Sequence, residues 1–208
     1  MDLALAKEIT GGLMDASKMP GLGYGTPAEN CNVGSKLRNV PNSVCSKCYA
    51  LKGFFVYQNA KNALKRRFNK IDNAQWVEAM VFLINYYEKS GFFRWNVSGD
   101  IWSEYFDKII EVCNLTPNIH HYLPTREYSV ISDFIHKGGR IPKNLVIRLS
   151  AYMINGKAPT KLAKSLGVLT SRVSTKRYTC PAPDQDNKCG DCRECWYKNK
   201  TNITYKLH

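Results

Sequence analysis

Acidic side chains are in short supply here: 17 Asp and Glu stand against 30 Lys and Arg in 208 residues, leaving a net charge of +13. A surplus of this size points to a polyanionic partner, nucleic acid or a phosphorylated small molecule, and says nothing about fold. Also missing is any apolar run of about 18 residues, so no membrane span and no membrane partner is expected. The opening "MDLALAKEITGGLMDASKMPG" lacks a basic stretch followed by a sustained apolar run, so no signal peptide is expected and a cytoplasmic location follows. Eight cysteines are too few for a disulfide scaffold, and disulfides rarely persist in the cytoplasm. P-loop, GxSxG and HExxH patterns are absent, as are zinc-finger, helix-turn-helix and RNP patterns.

No low-complexity linker divides the chain, so a single domain over 1–208 is expected. Residues 1–58 are rich in Gly, Pro, Asn and Ser and read mostly as loops around a short strand near Met19–Tyr24. From 59 to 179 helix and strand alternate. Ala60, Ala63, Leu64, Phe68 and Ile71 recur at helical spacing over Asn59–Asn73, and a second helix is expected over Ala74–Lys89. Strands are then expected in "FFRWNVSGD", "NIHHYLPTRE", "NLVIRLSAYM" and, as the last one, "GVLTSRVST", with helices over Ser103–Cys113, Ser129–Lys137 and Thr160–Ser165. This alternation predicts an α/β fold, a partial (β/α) barrel of parallel strands with a cysteine-rich N-terminal loop and a cysteine-rich tail over 180–208.

Clustered cysteines in a cytoplasmic chain point to metal. Cys180, Cys189, Cys192 and Cys195 have the tight two-residue gaps that wrap a multi-atom object, which predicts a closed four-iron, four-sulfur cluster. Cys31, Cys45 and Cys48 offer three more thiolates after the first strand, enough for a second cluster with one open iron. The alternative is zinc, held by Cys45 and Cys48 with Cys189 and Cys192 as two knuckles. Cys113 falls on the apolar side of a helix and is expected in the core.

Functional residues of parallel α/β folds collect at the C-terminal ends of strands. Those ends carry Ser98-Gly99-Asp100, a candidate cofactor-binding stretch, together with Arg126 and Arg148. Asp100, Arg126 and Arg148 are the candidate catalytic residues, with Asp100 read equally as a helix N-cap. Arg126 suits a carboxylate or phosphate, or else a salt bridge to Asp100 or Glu127. Arg148, inside an apolar strand, needs a partner, for which Asp100 or Glu104 is at hand. Tyr49 is placed to shield a cluster at Cys48. Lys61, Lys65, Arg66, Arg67 and Lys70 make the 59–73 helix the candidate nucleic-acid surface, or simply a solvated face.

The stretches "SKMPGLGYGTPAENCNVGSKLRNVPNSVCSKCYALKG", "RWNVSGDIWSE", "YLPTREYS", "NLVIRLSAYM" and "CPAPDQDNKCGDCRECW" together resemble the phage gene-product-88 family, from Ser17 to the closing "TYKLH". The resemblance implies phage origin and cysteine-bound metal. A looser one, to radical S-adenosylmethionine enzymes, rests on Cys31, Cys45 and Cys48 after the first strand and Ser98-Gly99-Asp100 after the second. It implies S-adenosylmethionine as a further cofactor, although thirteen residues, not three, separate Cys31 from Cys45. Two functions follow as expectations: an iron–sulfur enzyme working on a nucleotide or nucleic acid in an infected bacterial host, or a nucleic-acid-binding protein with a structural or redox-sensing metal site. The sequence says nothing of oligomeric state.

Overall fold

The computed structural model describes residues 1–15 and 18–207. Ser17, where the first family-like stretch begins, lies outside them. The elements in chain order are α1 Leu3–Thr10, β1 Met14–Asp15, β2 Leu22–Gly23, α2 Asn32–Leu37, α3 Gln58–Lys70, α4 Trp76–Tyr87, β3 Phe92–Arg94, α5 Ser103–Leu115, β4 His120–Thr125, α6 Tyr128–His136, β5 Leu145–Ser150, α7 Thr160–Ser165, β6 Leu169–Ser174 and β7 Asn202–Lys206. Seven strands form one sheet in the order of the chain, β1 antiparallel to β2 and every later pair parallel. The architecture is α/β with a mostly parallel sheet.

Three expectations need correction. The first 58 residues are mostly loop around the short strand β2, but they also contain two helices that were not expected, α1 and α2. Asp2 caps α1 by accepting from Leu5 N at 2.8 Å, and Gly11 ends it in the left-handed region at φ 77°. The strand after α4 stops at Arg94 instead of running to Asp100. Asn96 and Gly99 turn the chain there at φ 50° and 81°. Finally, "GVLTSRVST" is not the last strand: β7 pairs parallel to it, from Thr170 opposite Asn202 to Ser174 opposite Lys206. The tail over 180–208 is therefore a crossover plus an edge strand.

That crossover matters for the site. Parallel strands need a long connection, ordinarily a helix that buries an apolar stripe on the sheet. Residues 175–201 contain no α-helix, only a short 3₁₀ turn at Ala182–Asp184, and they carry all four C-terminal cysteines.

Register fixes what each face of the sheet presents. Phe93, His121, Leu123, Leu145, Ile147 and Leu149 are buried with Trp76, Met80, Tyr105, Ile109 and Ile131 of the helices. Each Leu, Ile, Phe or Met side chain among them contributes about 1.5–3 kcal/mol on leaving water. The opposite face carries Phe92 and Arg94 of β3, paired with His120 and Tyr122 of β4, followed by Arg148 of β5 and Tyr205 of β7. There the cysteine crossover stands in for a helix layer. Trp196 packs at 5.7 Å from Phe92 and 5.5 Å from Tyr122, and its Nε1 donates to Phe93 O at 2.9 Å.

His120 and His121 point to opposite faces, as adjacent strand residues must. His121 is fully buried, stacks on Trp95, and has Nε2 at 2.8 Å from Thr116 Oγ1 while Nδ1 has no partner. Burial, with the neighbouring His120, lowers its pKa to about 3. Unfolded, the ring titrates near its ordinary value of about 6.5. Between those values the unfolded chain binds a proton that the folded chain refuses, so stability falls as pH drops from about 6.5 toward 3. Going from about pH 7 to 5 in urea titrations, the native protein should lose about 2 kcal/mol relative to His121→Gln. A stability difference that ignores pH would show that His121 is not held neutral.

Candidate functional site

Cys113 is buried in the helix-side core, and the other seven cysteines are partly exposed. They form two groups on different surfaces. The first, Cys31, Cys45 and Cys48, belongs to a loop fastened across the C-terminal ends of three strands. Tyr49 OH donates to Val97 O at 2.6 Å beyond β3, Val33 N donates to Glu127 Oε1 at 2.7 Å beyond β4, and Val44 N donates to Tyr152 O at 2.8 Å beyond β5. Tyr49 thus anchors the loop through its hydroxyl.

Gly34 of α2 opens a cradle inside this group. A Cβ at that position would stand 2.8 Å from Cys31 Cβ, 3.6 Å from Cys31 Sγ and 3.7 Å from Cys45 Sγ. Burial pushes the Cys31 thiol well up, and the carboxylates of Asp100 and Glu127 and the thiols of Cys48 and Cys45 push the same way. Burial also raises Cys45, against the pull of Arg126.

Asp100 is the organising carboxylate of this edge. Its Oδ1 accepts from Thr125 Oγ1 at 2.6 Å, Ile101 N at 2.9 Å and Asn96 Nδ2 at 3.2 Å, and its Oδ2 accepts from Arg126 N at 2.9 Å. Burial raises its pKa to about 6 despite these donors, and Glu127 adds to the rise. Asp100 does not cap the following helix; Trp102 holds that position with no side-chain bond. It ties the end of β3 to the end of β4 instead. Gly99 is needed for contact, since a Cβ there would clash with Thr26 Oγ1. Ser98 Oγ and Asn96 Oδ1 are buried without partners. Arg126 makes no ion pair with Asp100 or Glu127; its Nε donates to Ala151 O at 3.3 Å.

The second group lies on the face of the sheet, not at its edge. Cys180 N and Thr179 N donate to Thr204 O of β7 at 3.1 and 2.9 Å, and Cys195 Sγ lies 3.2 Å from Tyr205 OH. Burial raises the Cys195 thiol to about 11, eased by the Tyr205 hydroxyl, and raises Cys180 and Cys189 as well. Cys180, Cys192 and Cys195 line one void of about 10 Å³ together with Glu194, whose Oε2 has no hydrogen-bond partner. A shallow cleft of about 580 Å³ opens beside it, lined by Cys192, Arg193, Tyr197 and Lys200 among others.

Arg148 holds this second group in place. Its side chain is completely buried, and neither Asp100 nor Glu104 is its partner. Four main-chain carbonyls are: Nη1 donates to Thr170 O at 3.2 Å and Lys200 O at 2.9 Å, and Nη2 to Glu194 O at 3.0 Å and Tyr197 O at 3.2 Å. An arginine so occupied organises the loop and has no free donor fork to offer a substrate.

Arg94, which sequence reasoning passed over, lies between the groups. It donates to Tyr49 OH at 3.3 Å and to Met19 Sδ at 3.0 Å, sits over the Tyr122 ring, and its charge lowers the thiols of Cys189 and Cys195. Its alternation with Phe92 and with Tyr122 across the strands was the available signal. Cys45 and Cys48 belong to the rim loop, and Cys189 and Cys192 to the crossover before β7. Among the described residues, no three or more His, Cys, Asp or Glu side chains are gathered as they would be around a metal ion.

The basic helix also divides. Arg67 is buried and donates to Gly12 O at 2.8 Å and Leu13 O at 3.1 Å, clamping the turn after α1, so it is no surface cation. Lys61, Lys65 and Arg66 remain exposed.

Residues 4–198 match the family described as gene product 88. No curated protein and no solved structure matches the chain. Nothing in these comparisons supports the likeness to radical S-adenosylmethionine enzymes. Among the described residues no helix is long and apolar enough to cross a membrane.

Replacing Arg148 by Met keeps the apolar stem and strips four carbonyls, one buried and three partly buried, of their donor. The variant should lose about 3–5 kcal/mol of stability in denaturant titrations followed by tryptophan fluorescence, to which Trp196 on the same loop contributes. Stability within about 0.5 kcal/mol of the native protein would show that the loop is held by something else.

Proposed function

We propose that this chain, which belongs to the gene product 88 family, is a metalloprotein whose two cysteine groups each hold an iron–sulfur cluster. Cys180, Cys189, Cys192 and Cys195 close one; Cys31, Cys45 and Cys48 hold the other with one iron open at the strand ends. The observation that carries this is the gathering of cysteines spread from 31 to 195 into two places: Cys31 and Cys45 around the space that Gly34 leaves open, and Cys180, Cys192 and Cys195 around one void. The consecutive strand order and the parallel run from β2 to β7 support the finer reading of the fold as a partial barrel.

The residues fit such a group. Gly34 leaves open the space between Cys31 and Cys45, and Ser98 Oγ and Asn96 Oδ1 are unsatisfied at the same edge. The thiols of Cys31, Cys45, Cys180, Cys189 and Cys195 are all raised, the opposite of what a thiol nucleophile needs, whereas a bound metal would displace their protons. Thiolates around one zinc stand roughly 3.8 Å apart, as Zn–S bonds of about 2.3 Å in a tetrahedron require. Those at the corners of a cube stand farther apart. When bound, the clusters supply electron transfer and, at the open iron, a coordination position. The chain's own residues do the rest: Asp100 and Glu127 fix the rim loop, Tyr49 fastens it to β3, and Arg126 offers a cation beside Cys45 for an anionic group of a nucleotide or nucleic acid. Gly99 and Asp100 are engaged in packing and in holding the strand ends, which leaves Ser98 as the free polar group of that stretch.

A second reading, zinc at the C-terminal group, is favoured by the void among Cys180, Cys192 and Cys195, whose volume of about 10 Å³ suits a single ion. Anaerobic purification with iron, sulfide and zinc analysis separates the two. Iron and acid-labile sulfide in equal amounts, about four of each per occupied group, are expected. Cys45→Ser with Cys48→Ser should remove one group's share, and Gly34→Ala should lower it by filling the cradle. Zinc without sulfide would replace the cluster reading, and a metal-free protein would overturn both.

A further inference from the structure

The segment that carries the rim cysteines has a second property. From 30 to 71 it contains no Asp or Glu and nine Lys and Arg. Two of the nine are internal: Arg38 donates to Ala28 O, and Arg67 clamps Gly12 and Leu13. Arg66 reaches Gly11 O and Lys70 is half-buried, whereas Lys36, Lys47, Lys52, Lys61 and Lys65 face outward. Within this acid-free field stands the most exposed aromatic group of the molecule. Phe54 is 72% exposed and Tyr57 65%, with ring centroids 6.1 Å apart at 77°. Phe55 joins Phe54 at 6.5 Å and Tyr49 at 5.9 Å, so the aromatic run reaches back to the residue beside Cys48.

The geometry is directional. Tyr57 is the N-cap of α3, and Lys61 and Lys65 follow at successive turns on the same face. An aromatic platform therefore leads into a stripe of cations along one helix. The rest of the exposed side of α3 is polar, Gln58, Asn59, Asn62, Arg66 and Asn69, and Val56 is the exposed aliphatic side chain beside the rings. Exposed rings in a cationic field match what single strands offer: base faces to stack and phosphates to neutralise. A duplex hides its base faces and offers only the phosphates.

We propose that Phe54 and Tyr57, with Lys61 and Lys65, form a binding platform for single-stranded nucleic acid that leads to the rim cysteines. This rests on the nucleic-acid part of the function proposed above and not on its metal, so the two can fail separately. Anisotropy of a fluorescein-labelled oligothymidylate, titrated with the whole chain as purified, tests it. Native protein should bind with an affinity that falls as salt rises, and more tightly than it binds a duplex of the same length. Phe54→Ala with Tyr57→Ala should weaken binding about tenfold or more, while Phe54→Trp with Tyr57→Trp retains it. Lys61→Gln with Lys65→Gln should flatten the log–log salt dependence by about 1.4. Both positions are exposed, so the melting temperature and the metal content should not change. Equal binding by the alanine variant, preference for duplex, or capture by anionic phospholipid vesicles in place of the oligonucleotide would each overturn the proposal. Oligonucleotide binding without metal would leave it standing and sink the cluster reading instead.

Discussion

A single buried guanidinium sets the terms for half of this molecule. Arg148 sits in β5, an interior strand of a mostly parallel sheet, where an unpaired charge would cost several kcal/mol. Both its Nη groups are satisfied because residues 194–200 bring three carbonyls and β6 brings a fourth, while Nε is buried without a partner. The crossover to β7 thereby gains an anchor that its sequence, without an α-helix, does not supply. Cys189, Cys192 and Cys195 ride on the same segment, with Trp196 driven against Phe92 and Tyr122 as the apolar counterpart. The charge fixes the loop, and the loop fixes the thiols.

The two cysteine groups consequently live in different surroundings. One is framed by carboxylates, Asp100 and Glu127, at the open ends of the strands; the other is framed by Arg94, Arg148 and two tyrosines on the covered face of the sheet. Raised thiol pKa values on both sides argue against cysteine nucleophiles. In the proposed metalloprotein a bound metal would draw out the thiolates, and differences in charge and access around each group would then tune what each metal centre does. An edge that is open and lined with unsatisfied polar atoms suits exchange with a ligand, whereas a face covered by the chain itself suits a closed shell.

Much of this was legible in the residues, and the failures have physical causes. The 3.6-residue and two-residue periods located α3, α5, α7, β4, β5 and β6, because those elements bury one side against a common core. Shorter elements escaped: α1 announces itself only through its caps, Asp2 and Gly11, and β7 is five residues at the edge of the sheet. The role of Arg67 was present in the spacing of Ala60, Leu64, Arg67 and Ile71, all on one helix face and all buried. The partners of Arg148 were not, since carbonyl acceptors leave no trace in residue identity. For the same reason the sequence placed both cysteine groups at one mouth: strand order says where the rim is, but not that a crossover will fold back over the face.

The account stands or falls on what occupies the two groups. X-ray absorption at the iron edge, on protein purified without oxygen, tests this most directly, because it sees neighbours of the metal whatever its function. The account predicts sulfur neighbours together with a second shell of iron, and loss of part of that shell when Cys45 and Cys48 are both replaced by Ser. Iron without an iron neighbour, or a signal only at the zinc edge with sulfur ligands, would contradict it.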